Sequence, residues 1–488
     1  WRSGTRLAGM HAGMTGADGW LLGALQVLAL AEHELLVFAA FWFTIGLFDE
    51  LGLDLAYLWL RLTRRTRTVR LAPGYGVDRL MGPVAVMIPA FREAAVIGTT
   101  IAHALKAWPQ QELQLYVGCY RNDPATLAAA MAAAARDPRV RLVVHGAEGP
   151  TTKADCLNRL YRALCDDEQR RQRWFRAVVL HDAEDMVHPA ALQAIDAAVS
   201  AVDFVQLPVR PGLLPQSRWV AGHYADEFTE SHAKALVVRS ALGASLPAAG
   251  VGCGFARVAL ERLAERRRDA GEADAGPFAP ECLTEDYELG LTLSSEGRGS
   301  AFLRLRDADG NLVATSSYFP ARLDQAVRQK TRWIHGIALQ GWERLGWSTK
   351  PVELWMALRD RRGPLTALVL VAAYLLLLID AILLLGEAWT GQALFVPLSA
   401  PARVMVALSL AGLGWRLMAR LVFTAREYGL AEGLRAVVRV PVGNVIAIMA
   451  ARRAVAAYLR SLGGGDVVWD KTDHAAHPAT ARLGKVRA

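Results

Sequence analysis

The chain has 488 residues, of which 53% are hydrophobic and 21% are charged, and its formal net charge is +8. The hydrophobic share exceeds the ~45–50% that is usual for soluble domains, which argues against an ordinary soluble protein and predicts membrane segments. Because the arginines cluster beside apolar runs, we interpret the positive charge as facing an anionic membrane surface, not nucleic acid.

The cysteine content favours a reducing compartment. None of the five cysteines stands in a C-x-x-C pair, and they are scattered among strand-like and helix-like segments. This spacing suggests neither a zinc site nor a disulfide framework. The cysteines are Cys119, Cys156, Cys165, Cys253 and Cys282.

Residues 1–70 are predicted to form a membrane anchor with a basic juxtamembrane end. The apolar run "LLVFAAFWFTIGLF" predicts one crossing, with flanking acids such as Glu32 and Asp49 near the interfaces or against other helices. Five arginines follow in "RLTRRTRTVR", residues 61–70. Because positive residues remain on the cytoplasmic side, we expect the next domain to be cytoplasmic.

Residues 71–347 are predicted to form this cytoplasmic domain and to end in an interface helix. Short β-branched runs such as "PVAVMIPA", "LQLYVGCY" and "AVVLHDAE" alternate with helical segments such as residues 124–135. The alternation predicts an α/β fold with a doubly wound, mainly parallel sheet inserted between transmembrane helices. Ligands in such folds bind beyond the carboxyl ends of the strands. The polar residues there are Glu93, Asn122, Asp123, Asp182, Glu184 and Asp185.

Residues 348–465 are predicted to hold further membrane helices, and residues 466–488 a cytoplasmic tail. The runs "PLTALVLVAAYLLLLIDAILLLG" and "VMVALSLAGLGWRLMARLVF" are long enough to span. The last apolar stretch, from Val440 to Leu462, carries Arg452 and Arg453 in its middle. Charges there are costly at a bilayer centre, so we interpret this stretch as interfacial.

The segment "LHDAEDMVHP" places three acids directly after an apolar strand: Asp182, Glu184 and Asp185. Two carboxylates in a strand-end loop can share one hard cation whose open positions hold diphosphate oxygens. The alternative is a solvated turn. The position at a strand terminus favours the metal site.

Two other loops are candidates for ligand binding. In "TTKADCLNRLY", Lys153 and Asn158 lie near a helix start, where a lysine and free backbone amides favour phosphate, although a surface lysine is the alternative. In "AAGVGCGFAR", the segment around Gly252, Cys253 and Gly254 lacks the phosphate-loop lysine. Close backbone approach to a substrate competes there with an ordinary turn.

The stretch "CLTEDYELGLTL" joins Thr284, Glu285 and Asp286 at the start of a helical run. Threonine is a good N-cap residue, and acids in a first helical turn are stabilised by the helix dipole. Capping is therefore one explanation of the acids. Catalysis is the other, because a helix start holds a carboxylate rigidly.

Two helical segments carry further candidates. In "HYADEFTESHAK", the spacing of His223, Glu227 and His232 is not H-E-x-x-H, so a polar helix face is favoured over a metal site. In "RQKTRWIHG", Arg332 can neutralise a phosphate leaving group, and Trp333 can stack on a sugar ring. The alternative for this second segment is an interfacial helix with snorkelling arginines.

An acid cluster after a strand, a glycine loop, "TED" and "QKTRW" follow one another in that order beside a membrane span. This combination resembles the processive membrane-bound glycosyltransferases of family 2, the cellulose- and hyaluronan-synthase-like group. Within it, "DAED", "LTEDYELG", "RWIHG" and the tail "VWDKTDH" are most similar to a bacterial inner-membrane branch, the phage-adsorption proteins B. The resemblance covers nearly the whole chain and implies a GT-A fold.

The resemblance also implies site residues. It makes Asp286 the general base in the catalytic triplet Thr284, Glu285 and Asp286. Mg²⁺ or Mn²⁺ would be held by Asp182 with Glu184 or Asp185. The donor-binding residues would be Glu93, Asp123, Lys153, Asp182, Gln329, Arg332 and Trp333. The acceptor-binding residues would be Gly252, Cys253, Gly254 and Trp333.

The implied reaction is inverting transfer of a hexosyl or N-acetylhexosaminyl group from a nucleotide sugar, as for exopolysaccharide synthesis. The donor would be a UDP-sugar, and the acceptor a growing saccharide or a lipid-linked molecule. The implied partners are the bilayer, an outer-membrane export protein and further copies of the chain, with regulation by cyclic di-GMP. The main alternative is a membrane scaffold or receptor subunit with a vestigial transferase fold. A glycoside hydrolase, also built on carboxylate pairs, explains neither the leaving-group arginine nor the membrane coupling.

Overall fold

The computed structural model describes residues 16–272, 276–462 and 477–479. The predicted tail motif "VWDKTDH" lies outside the described residues. The strands are β1 (Val69–Arg70), β2 (Val84–Pro89), β3 (Leu113–Tyr120), β4 (Val140–His145), β5 (Ala177–Leu180), β6 (Phe204–Gln206), β7 (Val209–Pro211), β8 (Cys253–Ala256), β9 (Ser300–Phe302), β10 (Leu305–Arg306) and β11 (Thr315–Ser317).

Helices account for most of the remaining described chain. They are α1 (Gly16–Leu62), α2 (Ile97–Ala107), α3 (Pro124–Ala134), α4 (Lys153–Arg171), α5 (Ala191–Ala198), α6 (Val220–Glu230), α7 (Leu236–Ala241), α8 (Arg257–Asp269), α9 (Glu285–Glu296), α10 (Leu323–Trp333), α11 (Gly341–Leu345), α12 (Pro351–Arg361), α13 (Gly363–Thr390), α14 (Ala400–Tyr428), α15 (Leu430–Val438) and α16 (Val440–Leu462). Two π-helical turns, Ser231–Ala235 and Ile334–Gln340, join α6 to α7 and α10 to α11.

The main sheet has seven strands in the order β4-β3-β2-β5-β8-β6-β9. Neighbouring strands are parallel except at β8, which runs antiparallel to both β5 and β6. Every residue of β3 and of β5 is buried, as expected for strands covered on both faces. The prediction of an α/β fold with a mainly parallel sheet is confirmed.

Among the residues that the structure describes, four helices are long and apolar enough to cross a membrane, namely α1 from Gly19 onward, α13, α14 and α16. Three of them include the runs predicted as spans. The fourth, α16, satisfies the same length and composition criteria, yet it packs on α10 and α6 beside the main sheet. Its interfacial position therefore stays a prediction.

The chain divides into two compact units, each described here by itself. One unit comprises residues 1–52 and 365–418, and the other comprises Leu53–Pro364 and Ala419–Ala488. The second unit thus contains the main sheet together with the last turns of α1 and α14. These bounds differ from the predicted segments because the ends of both long helices contact the α/β domain: Asp54 of α1 accepts from Lys234 at 2.6 Å, and Glu427 of α14 accepts from Arg304 at 2.5 Å.

Candidate active site

A cavity opens at the carboxyl ends of β2, β3 and β5, where the fold class predicts ligand binding. Its lining comes mainly from the loops after the strands, the start of α4, the start of α9 and one face of α10, with further contributions from α6, β7 and β11. Ten of the predicted site residues line it together: Glu93, Lys153, Asp182, Glu184, Thr284, Glu285, Asp286, Gln329, Arg332 and Trp333.

Lys153 is the cationic centre of this cavity. It is the first residue of α4, whose start is fixed by a capping box between Thr152 and Asp155. The Lys153 Nζ lies 2.6 Å from Asp182 Oδ1, and the lysine side chain is only 18% exposed. Burial lowers the pKa of Lys153, but the charges of Asp182, Glu285 and Asp286 outweigh it and raise the pKa above its usual range.

Glu285 and Asp286, here called the acid pair, begin α9. Burial raises the pKa of Asp286, and burial together with the Asp286 charge raises the pKa of Glu285 to about 8. The Asp286 Oδ1 accepts a hydrogen bond of 2.8 Å from the backbone N–H of Tyr287. Three carboxylates therefore surround one ammonium group, and the site has a surplus of negative charge that an additional cation would stabilise.

Thr284 occupies the N-cap position of α9, but its side chain makes no capping hydrogen bond. The predicted capping role is therefore wrong for its hydroxyl group. The Thr284 side chain instead packs so closely against Gly336, in the second π-helical turn, that a Cβ there would lie 2.4 Å from Oγ1. This contact ties the acid pair to the segment after α10.

Gln329, Arg332 and Trp333 project from α10 into the cavity. The Trp333 ring packs edge-on against Tyr224, with 6.0 Å between centroids, and lies 6.1 Å from the Phe228 ring. Lys330, which lies between Gln329 and Arg332 in the sequence, points away from the cavity. Its Nζ pairs with the carboxylate of Glu227 at 2.6 Å. The charge of Lys330 helps to lower the pKa of Glu227 to about 2, against the opposing effect of burial.

Comparison with known proteins shows the family of the chain. Residues 82–336, more than half of the chain, match the family described as "Glycosyltransferase like family 2". The chain belongs to this glycosyltransferase family. The predicted family and its GT-A fold are confirmed, as is the predicted branch.

Two curated relatives represent that branch. They are bacteriophage adsorption protein B of Escherichia coli K12 and bacteriophage N4 adsorption protein B of E. coli O157:H7. Each is 33% identical over 480 residues, which is 93% of this chain and 62% of the relative. The glycosyltransferase chain thus spans less than two thirds of the length of these relatives.

The chain is also similar to solved structures, of which two are described here. A mannosyltransferase from Pyrobaculum calidifontis, solved with GDP-Man and Mn²⁺, is 19% identical with a TM-score of 0.46, covering 83% of this chain and 98% of that one. Glucosyl-3-phosphoglycerate synthase from Mycobacterium tuberculosis was solved with Mn²⁺, UDP and phosphoglyceric acid. It is 20% identical with a TM-score of 0.34, covering 55% of this chain and 79% of that chain.

The three acidic residues of the loop after β5 differ in whether they face the cavity. Asp182 and Glu184 line the cavity of this glycosyltransferase, whereas Asp185 is buried behind it. The Asp185 Oδ2 lies 2.9 Å from His181 Nδ1 and accepts from the backbone N–H of Asp182 at 2.9 Å. Its backbone oxygen lies 3.1 Å from Nε2 of His477. Asp185 therefore stabilises the loop by hydrogen bonds and does not face the cavity. This leaves Asp182 and Glu184 as the proposed metal ligands.

The residues present fit a hard divalent cation, although its ligand set is incomplete without substrate. In the described parts of the chain, no group of three or more His, Cys, Asp or Glu side chains is arranged to hold a metal ion. Asp182 and Glu184 offer carboxylate oxygens, which Mg²⁺ and Mn²⁺ prefer, beside the surplus negative charge of the acid pair. Such a cation would complete its coordination with diphosphate oxygens.

The residues predicted to bind the acceptor do not line the cavity, and residues slightly earlier in the chain line it in their place. Cys253 and Gly254 are buried in β8, where Cys253 pairs with Leu180 and a Cβ on Gly254 would lie 2.1 Å from Ile195. Gly252 is also buried, against Thr315. None of the three lines the cavity, because the strand begins earlier than the glycine pattern indicated. The lining residues are Ala249 and Val251.

Asp123 is likewise absent from the cavity lining. It is the N-cap residue of α3, where its Oδ1 accepts from the backbone N–H of Thr126 at 3.3 Å. Its Oδ2 accepts from the backbone N–H of Arg92 at 2.5 Å. These bonds give Asp123 a structural role at the edge of the site, and its role in donor binding stays a prediction.

The two histidines of the α6 segment do not form a metal site with Glu227. His223 Nδ1 is close to the backbone oxygen of Val220, and His232 Nδ1 accepts from the backbone N–H of Val209 at 2.9 Å. Glu227 pairs with Lys330. These contacts agree with the polar-helix interpretation of the segment.

An aromatic wall of the cavity was not predicted. Phe91 follows β2 and Tyr120 ends β3, and their rings lie 5.1 Å apart, edge to face. His145 stacks on Tyr120 at 5.0 Å, and the Tyr120 hydroxyl lies 2.7 Å from Thr151 Oγ1. The aromatic residues near the ends of the predicted strands could have indicated this wall from the sequence, because flat aromatic faces stack on bases.

Gly250 holds the glycine loop against the acid pair. Its φ is +73°, and a Cβ there would lie 2.3 Å from Asp286 Oδ2 and 3.2 Å from Lys153 Nζ. Gln206 fixes the loop, because its Oε1 accepts from Ala249 N at 2.9 Å and its Nε2 donates to Val251 O at 3.0 Å. Only a residue without a side chain fits this approach.

We expect Gly250→Ala to lower transfer activity at least tenfold by displacing Asp286, and to destabilise the fold by ~1–2 kcal/mol through its left-handed backbone. The matched control is Gly243→Ala, because Gly243 has a φ of +71° with no atom within 4 Å of an added Cβ. The control should lose a similar amount of stability but keep its transfer activity. Transfer rates and thermal unfolding of both variants test this, and equal activity losses would contradict it.

Proposed function

We propose that the chain transfers a sugar from a nucleotide-sugar donor, with a UDP-sugar the first class to test, to a saccharide or lipid-linked acceptor with inversion. The observation that carries the proposal is the cluster of Asp182, Glu285 and Asp286 around Lys153. It lies in one cavity with Arg332 and Trp333. This arrangement supplies a base, cations for a diphosphate and an aromatic face for a sugar.

In the proposed reaction, the acceptor hydroxyl oxygen attacks the anomeric carbon while the bond from that carbon to the diphosphate oxygen breaks. Asp286 takes the hydroxyl proton at Oδ2, because Oδ1 already accepts from Tyr287 N. The diphosphate departs as an anion, and Lys153 and Arg332 stabilise its charge. Mg²⁺ or Mn²⁺, held by Asp182 and Glu184, would add electrostatic stabilisation of the same charge.

The acid pair predicts how activity depends on pH. A base must be ionised, and the raised pKa values of Glu285 and Asp286 keep protons on the pair at low pH. The rate kcat/KM should therefore rise with pH, about tenfold per unit below the controlling pKa. Glu285→Gln removes the repulsion between the two carboxylates, so its acid limb should move to lower pH. Profiles measured over about pH 5 to 9 test this; a flat wild-type profile would contradict it.

For localisation, we propose the bacterial inner membrane with the α/β domain in the cytoplasm, supported by the five arginines of residues 61–70. Export of a polysaccharide product through an outer-membrane partner, homo-oligomerisation and control by cyclic di-GMP are further proposals from the family resemblance. The first test is incorporation of radiolabelled sugar by the purified full chain across a panel of UDP-sugars.

A second candidate function is a scaffold or receptor subunit. The observation that favours it is the name of the relatives, which are phage-adsorption proteins. A scaffold would not need the acid pair buried beside Lys153. Absence of incorporation from every donor, by protein that still binds nucleotide sugars, would favour the scaffold over the enzyme.

A further inference from the structure

A second cavity, here called the arginine cavity, lies in the same compact unit as the main sheet. Five arginines and one glutamate are among its lining residues: Arg61, Arg70, Arg304, Arg306, Arg426 and Glu427. Its volume is about 440 Å³. Sites for small ligands span ~300–1,000 Å³, so the arginine cavity can admit a phosphate group with its substituents.

Glu427 compensates only part of this charge. Its Oε1 accepts from Arg304 at 2.5 Å and from Arg306 at 2.6 Å. Since five arginines face one carboxylate, four positive charges of the lining remain uncompensated. Within the described ranges of the chain, neither Arg61 nor Arg426 forms an ion pair. An arginine stays charged at any physiological pH, so the surplus must be met by solvent or by an anion.

The arginine side chains are arranged for an anion and not for bulk water alone. Arg304 is only 14% exposed, and burial lowers its pKa. Arg70 and Arg306 each donate to a backbone oxygen, Ala308 O at 2.9 Å and Gly310 O at 2.8 Å, which restricts their guanidinium planes. Planar guanidinium groups held in place bind phosphate oxygens in pairs.

The position of the arginine cavity selects the source of the phosphate. Arg61 lies in the last turn of α1 and Arg426 in the last turn of α14, and both helices are apolar enough to cross a membrane. Arg70 and Arg306 lie opposite each other where β1 pairs with β10, and Arg304 lies just before β10. The cavity therefore lies at the ends of two apolar helices, within the basic juxtamembrane segment that is expected to face the anionic headgroups of the cytoplasmic leaflet.

We propose that the arginine cavity binds the phosphate of an anionic lipid headgroup and thereby joins the ends of α1 and α14 to strand β10. The acyl chains would lie along the apolar helices. This site is separate from the sugar-transfer cavity, and the proposal does not depend on the proposed function.

The test uses the purified full chain in dodecylmaltoside and water-soluble dioctanoyl phosphatidylglycerol, with binding measured by calorimetry. The variant is Arg61→Gln with Arg426→Gln, chosen because both side chains are exposed and outside ion pairs. The matched control is Arg67→Gln with Arg218→Gln, two exposed arginines outside the cavity that remove the same charge. Thermal unfolding of both double variants checks that each is folded.

We expect saturable binding to the wild-type chain, at least tenfold weaker binding to the cavity variant and a change below twofold in the control. Equal weakening in both double variants would overturn the site, because it would show a general attraction of charge. Dioctanoyl phosphatidylcholine should bind at least tenfold more weakly than phosphatidylglycerol. Inorganic phosphate that binds as tightly as the short-chain lipid would overturn the lipid assignment and point to a soluble phosphate.

Discussion

Asp286→Asn should abolish sugar transfer while leaving nucleotide-sugar binding intact. The amide keeps the shape of the side chain and its hydrogen bond from Tyr287 N, but it cannot take the proton of the acceptor hydroxyl. General-base help is typically worth ~10²–10⁴-fold, so the rate should fall by at least that factor. Because a carboxylate charge leaves the surroundings of Lys153, donor affinity should stay equal or rise slightly.

The measurement is single-turnover transfer of radiolabelled sugar, with donor binding followed separately by calorimetry. Glu288→Gln is the matched control, since Glu288 also lies in the first turn of α9 but pairs with Arg344 outside the cavity. It should retain transfer. Normal turnover by Asp286→Asn would remove Asp286 as the base, whereas loss of donor binding in the same variant would assign it to substrate binding instead.

The sheet could be predicted from the sequence wherever a strand is buried on both faces. The runs that became β2, β3 and β5 are mostly apolar, and the loops after β2 and β5 bring Glu93 and Asp182 to one cavity. Strand β8 could not be predicted in this way. Its four residues include Gly254, and a glycine-rich stretch indicates a loop by local preference. Pairing with β5 and β6 overrides that preference, which is why the predicted acceptor residues lie in the core.

The residues of the candidate site could also be predicted only in part. Position after a strand shows that an acid stands near the site, but side-chain direction decides between lining and support. Glu184 lines the cavity, while its neighbour Asp185 turns inward to His181. The contact of Asp185 with His477 joins residues 292 positions apart and has no signal in a single sequence.

Lys153→Met should weaken donor binding and destabilise the chain together. Breaking a fully buried ion pair by removal of one partner costs ~3–5 kcal/mol. The Asp182 side chain is 34% exposed and can be rehydrated, so we expect a smaller loss, about 2 kcal/mol, or roughly 2–3 °C in the unfolding temperature of a unit this large. Lys106→Met is the matched control, an exposed lysine in the last turn of α2, and it should change neither property.

The dependence of this loss on pH separates electrostatics from packing. Without the ammonium, the pKa values of Glu285 and Asp286, already raised in the folded chain, should rise further. A carboxyl whose folded pKa is above its unfolded value loses stability as pH rises between the two values. Wild-type Glu285 keeps its proton up to a pKa of about 8, so the deficit of Lys153→Met relative to wild type should grow above about pH 8, where only the variant remains protonated. Adding Asp182→Asn should recover part of it, since one fewer negative charge is left, and a deficit that is independent of pH and of Asp182 would show that Lys153 acts by packing alone.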